Sequence, residues 1–503
     1  MQNDSSMFAS FTYCPYKAFL QFKEESGRDD ALELWFNRQS AEYTNSIIEK
    51  RQNGVNGPNA LCDRWIGFKR GSTDGRLIIC EVGTDCEILA QDIESTEKQG
   101  TGYVPLLCLP SEKISNQQKL LLAFAGYSLA KTGFTVAPFG RIIHGSDHRT
   151  SRIQLAKLSR EVNKTAKTLD QIRAGTYEPP LILNSHCNVC RFSSYCRTKA
   201  IAKDDLSLIS SLSAKEIEKL KKRRIFSVTQ FSHSYRPRRL RHRMETTEKH
   251  NPALKALAIR EKKIYVTPAS KPQMGRVQIF FDVEGIPDKD FYYLIGAKVI
   301  DGTNETTHSF WADNGLDEER IWKQFLSMIA AFDSFSLLHF GGYESAFVAR
   351  MLRRYGTIIE MPAERLKSSL VNILTFCHLN VYFPTYSNSL KALAVYLRFP
   401  WSYPASSWLD SITWRQQWET SKEDVIKEKL LRYNLDDCDA LMLLTNDVLD
   451  ILEHRTKDQE PVITADSAAI DSSYKYGSKS FDLPELEVIS KYAYFNYQHS
   501  RPN

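Results

Sequence analysis

The sequence predicts an α/β protein of several domains, whose C-terminal half is built on a mixed β-sheet. A chain of 503 residues, 42% of them hydrophobic, can bury more than one core. Strand-like runs follow one another from Val277 to Trp311, and segments with helical periodicity come after them. Residues 201–270 are basic and predicted to be helical, so we expect them to connect two larger domains.

Charge and hydropathy indicate whether the protein is expected to bind anions, cross a membrane or be secreted. The formal net charge is +6, which permits an anionic partner without requiring one. The longest apolar stretch, residues 120–130, is shorter than a bilayer-spanning helix, and the first residues lack the layout of a secretory signal. We therefore expect a cytoplasmic protein with no membrane partner. In that setting the ten cysteines are expected to bind metal or pack rather than form disulfides.

Four cysteines form the candidate metal-binding set of the N-terminal part. Residues 8–23 are predicted to turn into an amphipathic helix, with Cys14 directly before a proline in the favoured first turn. Cys187, Cys190 and Cys196 lie within ten residues of a loop-like stretch, a spacing that lets one loop supply three ligands. We expect Cys14 to be the fourth.

This cysteine pattern resembles that of the iron-sulfur RecB-like nucleases, including the CRISPR-associated ones. The matching features are a cysteine in an N-terminal Tyr-Cys-Pro helix and a later Cys-x2-Cys-x5-Cys group. The resemblance implies that residues 1–200 form a PD-(D/E)xK-like domain whose four thiolates hold a 4Fe-4S cluster joining its two ends. Zn²⁺ is the alternative occupant, because four thiolates also suit a tetrahedral ion.

The same resemblance predicts that the first domain has lost its catalysis. Active members carry a Glu-x-Lys pair on a strand that residues 103–109 resemble, but here Leu107 and Leu109 stand at those two positions. Without these groups the strand offers neither a metal ligand nor a basic activator. A shifted register that uses Glu112 and Lys113 is the alternative that would keep activity.

The connector, residues 201–270, carries most of the predicted nucleic-acid-binding residues. Ser213 and Glu216 have the spacing of a capping box, and the helix that they begin runs into a basic cluster. Basic helices can bind phosphates, and a solvated surface is the alternative interpretation. The candidate residues are Lys221, Lys222, Arg223, Arg224, Arg236, Arg238, Arg239, Arg241 and Arg243, together with Lys391 farther along the chain.

Residues 271–455 are predicted to form a separate domain. Three strands joined by short turns favour an antiparallel meander. A helix, a strand and a second helix come next, and this is the element order of the ribonuclease H fold. The predicted bounds are strands at 277–283, 291–300 and 305–311, a helix at 317–332, a strand at 336–340 and a helix from about Glu344.

Acidic residues of this domain suggest a metal site. Asp282 and Glu284 lie two apart in a strand, so their carboxylates project to the same side. Paired carboxylates repel unless a cation neutralises them, and oxygen ligands suit Mg²⁺ or Mn²⁺. On a late helix, Tyr433 and Asp437 lie one turn apart on an otherwise apolar stripe, where an aspartate requires a partner or a metal.

Over about residues 275–455 these motifs resemble the DEDD exonucleases of the Tyr subclass. The resemblance implies that Asp282, Glu284 and Asp437 hold two metal ions, while Tyr433 orients the attacking water. At the position of the family's middle aspartate this sequence offers Glu344, directly after an aromatic residue. Over nearly the whole chain, the sequence resembles RecB-like putative nucleases fused to a YprB-type ribonuclease H domain.

The resemblance implies a Mg²⁺- or Mn²⁺-dependent 3′–5′ exonuclease acting on single-stranded nucleic acid, with single-stranded DNA favoured and RNA possible. The alternative is a nuclease-dead nucleic-acid-binding scaffold in a larger DNA-processing or defence assembly. The tail, residues 456–503, is expected to contain a short aromatic helix at 486–497 that can dock on a protein partner. We expect three further acids, Asp410, Asp436 and Asp439, to face solvent or cap helices.

Overall fold

The structure is a computed structural model of the chain that describes most, but not all, of its residues. Arg238, Arg239, Arg241, Arg243 and the expected aromatic helix at 486–497 lie outside the described part, apart from residue 489. The described residues are 5–25, 40, 42–47, 65–66, 79–82, 86–93, 102–131, 135–145, 147–236, 250–267, 272–286, 291–404, 408–453, 462–465 and 489.

The chain divides into two compact units. The first comprises Met1–Ile201, Gly285–Phe291 and Ala405–Lys427, and the second comprises the remaining segments, Ala202–Glu284, Tyr292–Pro404 and Glu428–Asn503. The predicted connector at 201–270 therefore groups with the C-terminal part of the chain. The division into four domains made from the sequence remains a prediction.

The first unit surrounds a six-stranded sheet with the order β1-β3-β4-β5-β6, in which β2 also pairs with β3. Its strands are β1 Trp65–Ile66, β2 Ile79–Val82, β3 Cys86–Ile93, β4 Gly102–Leu109, β5 Phe139–His144 and β6 Arg149–Gln154. Its helices are α1 Ser5–Tyr13, α2 Pro15–Phe22, α3 Asn116–Lys131, α4 Ser159–Arg173 and α5 Ser193–Ala202, and α14 Trp408–Ser421 also belongs to this unit. The central β4 and β5 are parallel, whereas β3 and β6 run antiparallel to their neighbours.

The core of the first unit lies between the sheet and its helices. Phe8 of α1 stacks on Phe124 of α3 with ring centroids 4.0 Å apart. Leu107 and Leu109 of β4 are buried in the same core. The two positions at which the resemblance to RecB-like enzymes expects Glu and Lys are therefore packing positions here.

Cys14 lies between two helices, α1 and α2. Pro15 cannot donate a backbone hydrogen bond, and the residue before a proline favours extended backbone. Cys14 accordingly has φ of −158° and caps α2, with Pro15 in the first turn as expected. The expectation that the preceding residues form a turn was wrong, because α1 covers Ser5–Tyr13.

The second unit begins with short helices and a small sheet. These are α6 Ala214–Lys222, α7 Val228–Ser232, α8 Pro252–Glu261 and β7 Ile264–Val266, which pairs with β13 Val381–Tyr382 and β14 Val462–Thr464. Ser213 and Glu216 form the predicted capping box at the start of α6: the Ser213 hydroxyl accepts from Glu216 N–H, and the Glu216 carboxylate accepts from Ser213 N–H.

The main sheet of the second unit has the order β10-β9-β8-β11-β12. Its strands are β8 Val277–Ile286, β9 Phe291–Asp301, β10 Asn304–Trp311, β11 Phe335–His339 and β12 Leu370–Asn372. β9 and β10 are antiparallel, whereas β8, β11 and β12 are parallel to one another, so the predicted mixed sheet is confirmed. The remaining helices are α9 Glu318–Ala330, α10 Tyr343–Tyr355, α11 Ala363–Ser368, α12 Ile373–Asn380, α13 Leu390–Tyr396 and α15 Asp424–Leu452.

Helix α15 brings the C-terminal acid to the first strand of the sheet. Leu441 and Leu444 of this 29-residue helix are buried in one core with Phe280 of β8 and Leu338 of β11. Asp437 lies one turn before Leu441 on the same helix. Burial of this leucine face thus holds Asp437 beside the end of β8. In the described part of the chain, no helix is long and apolar enough to cross a membrane.

Lys255 ties helix α8 to the loop that precedes α13. Only 3% of this residue is exposed. Its ammonium donates to Phe383 O at 2.9 Å, Asn388 Oδ1 at 2.6 Å and Thr385 Oγ1 at 3.3 Å. These acceptors are neutral, and burial lowers the pKa of Lys255 to about 7.

This lysine gives a pH-dependent contribution to stability. The unfolded chain has a lysine pKa of about 10.4, so between about pH 7 and pH 10 the unfolded state binds more protons than the folded state. The contribution of Lys255 to the free energy of unfolding must then rise with pH. We predict that the difference in unfolding free energy between wild type and Lys255→Met shifts in favour of wild type from about pH 7 to about pH 9. Urea denaturation of both proteins measures it, and a difference that is constant with pH would contradict the prediction.

Candidate metal centre

Three carboxylates meet at the end of the first strand of the main sheet. Asp282 and Glu284 alternate with buried residues on β8, and Asp437 projects from α15. One carboxylate oxygen from each of the three lies within 4.8 Å of the others. Among the described residues, this is the only group of three His, Cys, Asp or Glu side chains gathered so closely. The all-oxygen donor set fits Mg²⁺ or Mn²⁺.

The proximity of the carboxylates and their burial raise the pKa values of two of them. Burial raises the pKa of Asp282 well above its usual range, and the carboxylates of Asp437, Glu284 and Glu344 raise it further. Burial likewise raises the pKa of Asp437 to about 7, although the Lys391 ammonium opposes the increase. A bound divalent cation would remove this penalty, because opposite charge favours the ionised form. The donor set therefore fits the metal ions expected from the sequence.

Asn434 is a site residue that the sequence analysis missed. It is fully buried, and its Nδ2 donates to Asp282 Oδ2 at 2.7 Å. The hydrogen bond lowers the pKa of Asp282, against the effect of the neighbouring acids. Asn434 lies on the helical stripe of Leu430, Asp437 and Leu441, where a polar residue among leucines was the available signal.

Gly296 on the neighbouring strand makes room for this amide. A Cβ atom at Gly296 would lie 1.9 Å from Asn434 Oδ1, a distance that no real contact allows. The same Oδ1 is buried and has no hydrogen-bond partner among the described residues. Leaving a buried acceptor unpaired costs about 1–3 kcal/mol. Asn434 therefore orients Asp282 and lowers the stability of the fold. Side chains that orient metal ligands often have this role.

Glu344 lies beside the cluster but outside the group of three. It is in the first turn of α10 and 5% exposed, and its charge raises the pKa of both Asp282 and Asp437. Its Oε2 lies 3.5 Å from Nδ1 of His339, and neither atom has a hydrogen-bond partner in the described part. The structure thus places Glu344 near the other acids without completing a four-carboxylate set.

Tyr433 and Lys391 occupy the surroundings of the same cluster. Tyr433 is 8% exposed and one helical turn before Asp437, as the sequence predicted. Lys391, in the first turn of α13, lies close enough to Asp437 to lower its pKa. One cation therefore lies near the carboxylates, and Tyr433 lies on the same face of α15 as Asp437.

The expectation that Asp436 faces solvent was wrong. Only 1% of Asp436 is exposed, and its carboxylate accepts from Ser402 N at 2.8 Å and forms an ion pair with Arg432 at 2.7 Å. Asp439 is paired with Lys298, and Asp410 lies in the first turn of α14. Since Asp436 and Asp437 are adjacent on a helix, they face different neighbours, one the cluster and the other a loop.

Five of the predicted basic residues of the connector lie in the described part of the chain. Lys221 and Lys222 form the last turn of α6, Arg223 caps it, and Arg224 follows with φ of 60°. Lys222 pairs with Glu218 at 2.8 Å, while Arg236 donates to the backbone carbonyls of His233 and Tyr235. A phosphate-binding role for these residues remains a prediction.

The four candidate cysteines of the first unit line one pocket. Cys14 caps α2, Cys187 lies in a 3₁₀ turn, Cys190 follows that turn, and Cys196 is on α5 rather than in a loop. No three of them bring their sulfur atoms within 4.8 Å of one another, so the geometry alone does not define a metal site. Burial raises the pKa of Cys14 and Cys190 and raises that of Cys196 to about 12.

The two ends of the first unit also meet without any metal. Asn184 Nδ2 donates to Tyr13 O at 3.2 Å, and the rings of Tyr13 and His186 stack at 4.8 Å. Lys199 Nζ donates to Tyr16 Oη at 2.8 Å. These contacts join residues more than 170 positions apart in the sequence.

Comparison with known protein families identifies one region of the chain. Residues 279–449 match the RNase_H_2 family of the RNase_H superfamily. No curated protein and no solved structure matches the chain. The matched segment contains β8 with Asp282 and Glu284, as well as α15 up to Leu449, so it includes the whole carboxylate cluster.

The second unit therefore contains a ribonuclease H-like domain, as the sequence predicted. The match over this segment indicates a nuclease domain and a nucleic-acid partner, and the acidic cluster is suited to the divalent metals that such nucleases use. The match does not extend to residues 1–278. The PD-(D/E)xK-like fold and the iron-sulfur site of the first unit stay predictions.

We predict that Gly296→Ala disrupts the candidate metal centre through Asn434. The new methyl group must displace the Asn434 amide, which would lose its hydrogen bond to Asp282. Overpacking of this kind costs about 1–3 kcal/mol, and loss of a residue that positions a metal ligand weakens metal affinity about 10- to 100-fold. Chemical denaturation and Mn²⁺ titration calorimetry measure the two effects.

Gly315→Ala is the matched control, because nothing lies within 4 Å of a Cβ atom at that position. The double variant Gly296→Ala with Asn434→Ala removes the clash, so its destabilisation should be smaller than the sum of the two single effects. Additive effects would show that Gly296 and Asn434 do not interact as described.

Proposed function

We propose that this protein is a metal-dependent nuclease that hydrolyses phosphodiester bonds of single-stranded nucleic acid from the 3′ end. The observation that carries the proposal is the cluster of Asp282, Glu284 and Asp437, whose oxygens lie within 4.8 Å of one another. The cluster lies within a segment that matches the RNase_H superfamily. Three partly buried carboxylates held this close together repel one another, and a divalent cation would offset that repulsion.

The side chains have separate roles in this proposal. Asp282, Glu284 and Asp437 would hold Mg²⁺ or Mn²⁺, with Asn434 keeping Asp282 oriented. When bound, the metal supplies charge stabilisation for in-line displacement at phosphorus. Tyr433, one turn from Asp437 on α15, would orient a water molecule with its hydroxyl. Glu344 would add negative charge beside the cluster.

The direction of cleavage and the substrate are inferred from the motifs of the site. The pair of motifs, Asp-x-Glu on β8 and Tyr-x3-Asp on α15, resembles the DEDD exonucleases of the Tyr subclass, and this resemblance supports 3′–5′ polarity. Single-stranded DNA is the favoured substrate and RNA is the alternative, because no motif of the chain reads a 2′-hydroxyl. End-labelled DNA and RNA strands of the same sequence distinguish them.

For the first unit we propose a nuclease fold without chemistry that contributes binding. Leu107 and Leu109 are buried in its core, and the Glu112 carboxylate pairs with Arg149 at 2.7 Å. Burial of the two leucines and the ion pair of Glu112 support the proposal that this strand has lost its catalytic groups. If the carboxylate cluster of the second unit were also inactive, the protein would be the binding scaffold considered above.

For the four cysteines we propose a 4Fe-4S cluster rather than zinc. The thiolates of a tetrahedral zinc site lie about 3.8 Å apart, given a Zn–S distance of about 2.3 Å. An iron-sulfur cube holds its thiolates farther apart, which suits four cysteines that line one pocket without approaching within 4.8 Å in any group of three. A cationic centre would offset the burial that now raises the thiol pKa values.

The ranking of three substitutions tests the proposed nuclease. Asp282→Asn and Asp437→Asn each remove a charge from the metal site, so cleavage of labelled single strands in Mn²⁺ should fall by orders of magnitude. Affinity for nucleic acid should be kept or improved, because less negative charge faces the phosphates. Tyr433→Phe deletes one hydroxyl and should cost roughly 10- to 100-fold.

Glu428→Gln is the control, since this residue is an exposed acid of the same helix. It should cut at the wild-type rate. Wild-type cleavage by Asp282→Asn would instead show that the acids are not catalytic, and the binding scaffold would be the better account.

The iron-sulfur proposal predicts that protein purified without oxygen is brown and contains iron and labile sulfide. Cys190→Ala should lose the colour and the iron, and it should destabilise the first unit, because the ligands come from both of its ends. Cys377→Ala, which removes a buried thiol of the second unit, should keep the iron content. Zinc without iron in metal analysis would overturn the proposal.

A further inference from the structure

A loop of the second unit, residues 398–404, places the aromatic ring of Trp401 beside a cation of α13 that acts on the carboxylate cluster. The Lys391 ammonium lies 5.5 Å from the centroid of the Trp401 ring, a cation–π distance. Lys391 is also the cation whose charge acts on Asp437. Trp401 is partly exposed, and the edge of its ring meets Phe399 at 4.9 Å between centroids.

In the described part of the chain, the Trp401 side chain contains an unpaired polar group, which lowers the stability of the fold. Its Nε1 is buried and has no hydrogen-bond partner among the described residues. An unpaired buried donor costs about 1–3 kcal/mol, and most buried tryptophans find an acceptor. Such a cost is common where a residue serves a ligand rather than the stability of the fold.

The same helix that supplies Asp437 fixes this loop. Asp436 accepts from both the N–H and the hydroxyl of Ser402, at 2.8 and 3.2 Å. Arg432 completes the clamp, donating to Ser402 Oγ at 2.9 Å and to Asp436 at 2.7 Å. Because Asp436 directly precedes Asp437, the position of the Trp401 loop is set relative to the cluster by one turn of α15.

A second cation–aromatic pair continues away from the cluster. The Lys429 ammonium lies 5.3 Å from the centroid of the Tyr403 ring. Along α15, the order is Lys429, Arg432 and then Asp437, which spans about 12 Å at 1.5 Å per residue. At about 3.4 Å per nucleotide of a stacked strand, this is room for roughly three nucleotides.

We propose that the loop 398–404 and the adjoining face of α15 form a track for one nucleic-acid strand that ends at the carboxylate cluster. Trp401 and Tyr403 stack on bases, while Lys391, Arg432 and Lys429 contact phosphates. The proposal rests on the proposed nuclease function, since the cluster defines where the strand ends.

The chemistry of the track favours a single strand over a duplex or a protein. Aromatic faces bind unpaired bases because every base has a π-face, and cations beside them follow the backbone. In a duplex the bases are stacked on one another and are not available to side chains. The arrangement carries no pattern of hydrogen-bond donors that reads base edges, so we expect little sequence preference.

The test measures binding without cleavage, in protein that carries Asp282→Asn. Fluorescence anisotropy with labelled oligothymidylate and oligouridylate gives the affinity for single-stranded DNA and RNA. Trp401→Ala should weaken binding about 5- to 150-fold, which corresponds to about 1–3 kcal/mol per stacked base. Trp401→Phe, which keeps an aromatic face, should restore most of the affinity.

A second variant keeps the proposal testable should Trp401→Ala fold poorly. Lys429→Gln removes one phosphate contact, so the slope of log affinity against log salt should decrease by about 0.7. Tyr177→Ala removes an exposed aromatic residue of the first unit and should bind as the parent protein does.

The outcomes separate the track from the nuclease. Unchanged affinity in Trp401→Ala and an unchanged salt slope in Lys429→Gln would overturn the track, while cleavage by the wild-type protein would leave the proposed function standing. If the wild-type protein does not cut and the Asp282→Asn protein does not bind single strands, both proposals fall.

Discussion

Mutual repulsion among three carboxylates is the constraint around which the second unit is arranged. Asp282, Glu284 and Asp437 would separate if the chain allowed it, since like charges at this distance disfavour ionisation. They stay together because each belongs to a strand or helix whose position is fixed by pairing and packing elsewhere. β8 pairs with β11, and the leucine face of α15 is buried against this sheet. Packing energy thus maintains an electrostatically unfavourable site, which is a usual arrangement in metal-dependent enzymes.

One turn of α15 performs several tasks because successive helical residues point in different directions. Asn434 donates to Asp282, Asp436 anchors Ser402, and Asp437 enters the cluster. The register of a single helix therefore determines the orientation of a ligand, the position of an aromatic loop and the third carboxylate together. Gly296 shows how closely the neighbouring strand is matched to this helix, since even one methyl group would collide with it.

The sequence predicted the parts of the fold and site that follow from local periodicity. Strand-like apolar runs joined by short turns identified β8, β9 and β10, and the Asp282–Glu284 spacing placed two acids on one side of a strand. The stripe of leucines around Asp437 identified the third acid. Asp436 was misjudged because its burial depends on Ser402, 34 residues away, which no local pattern reveals. Asn434 was missed for the same reason. Its role depends on its contacts with Asp282 and Gly296, which are distant from it in the sequence.

The hydrogen bond between Asn434 and Asp282 also has a consequence for the newly made chain. The two residues are 152 positions apart, and ribosomes add about 5–20 residues per second. Asp282 therefore emerges roughly 8–30 s before the amide that orients it and the helix that completes its cluster. During that interval the strand β8 exists without its third carboxylate, so the growing chain has no complete metal centre. The order of the elements along the chain thus delays the proposed catalytic site until the domain around it has been synthesised.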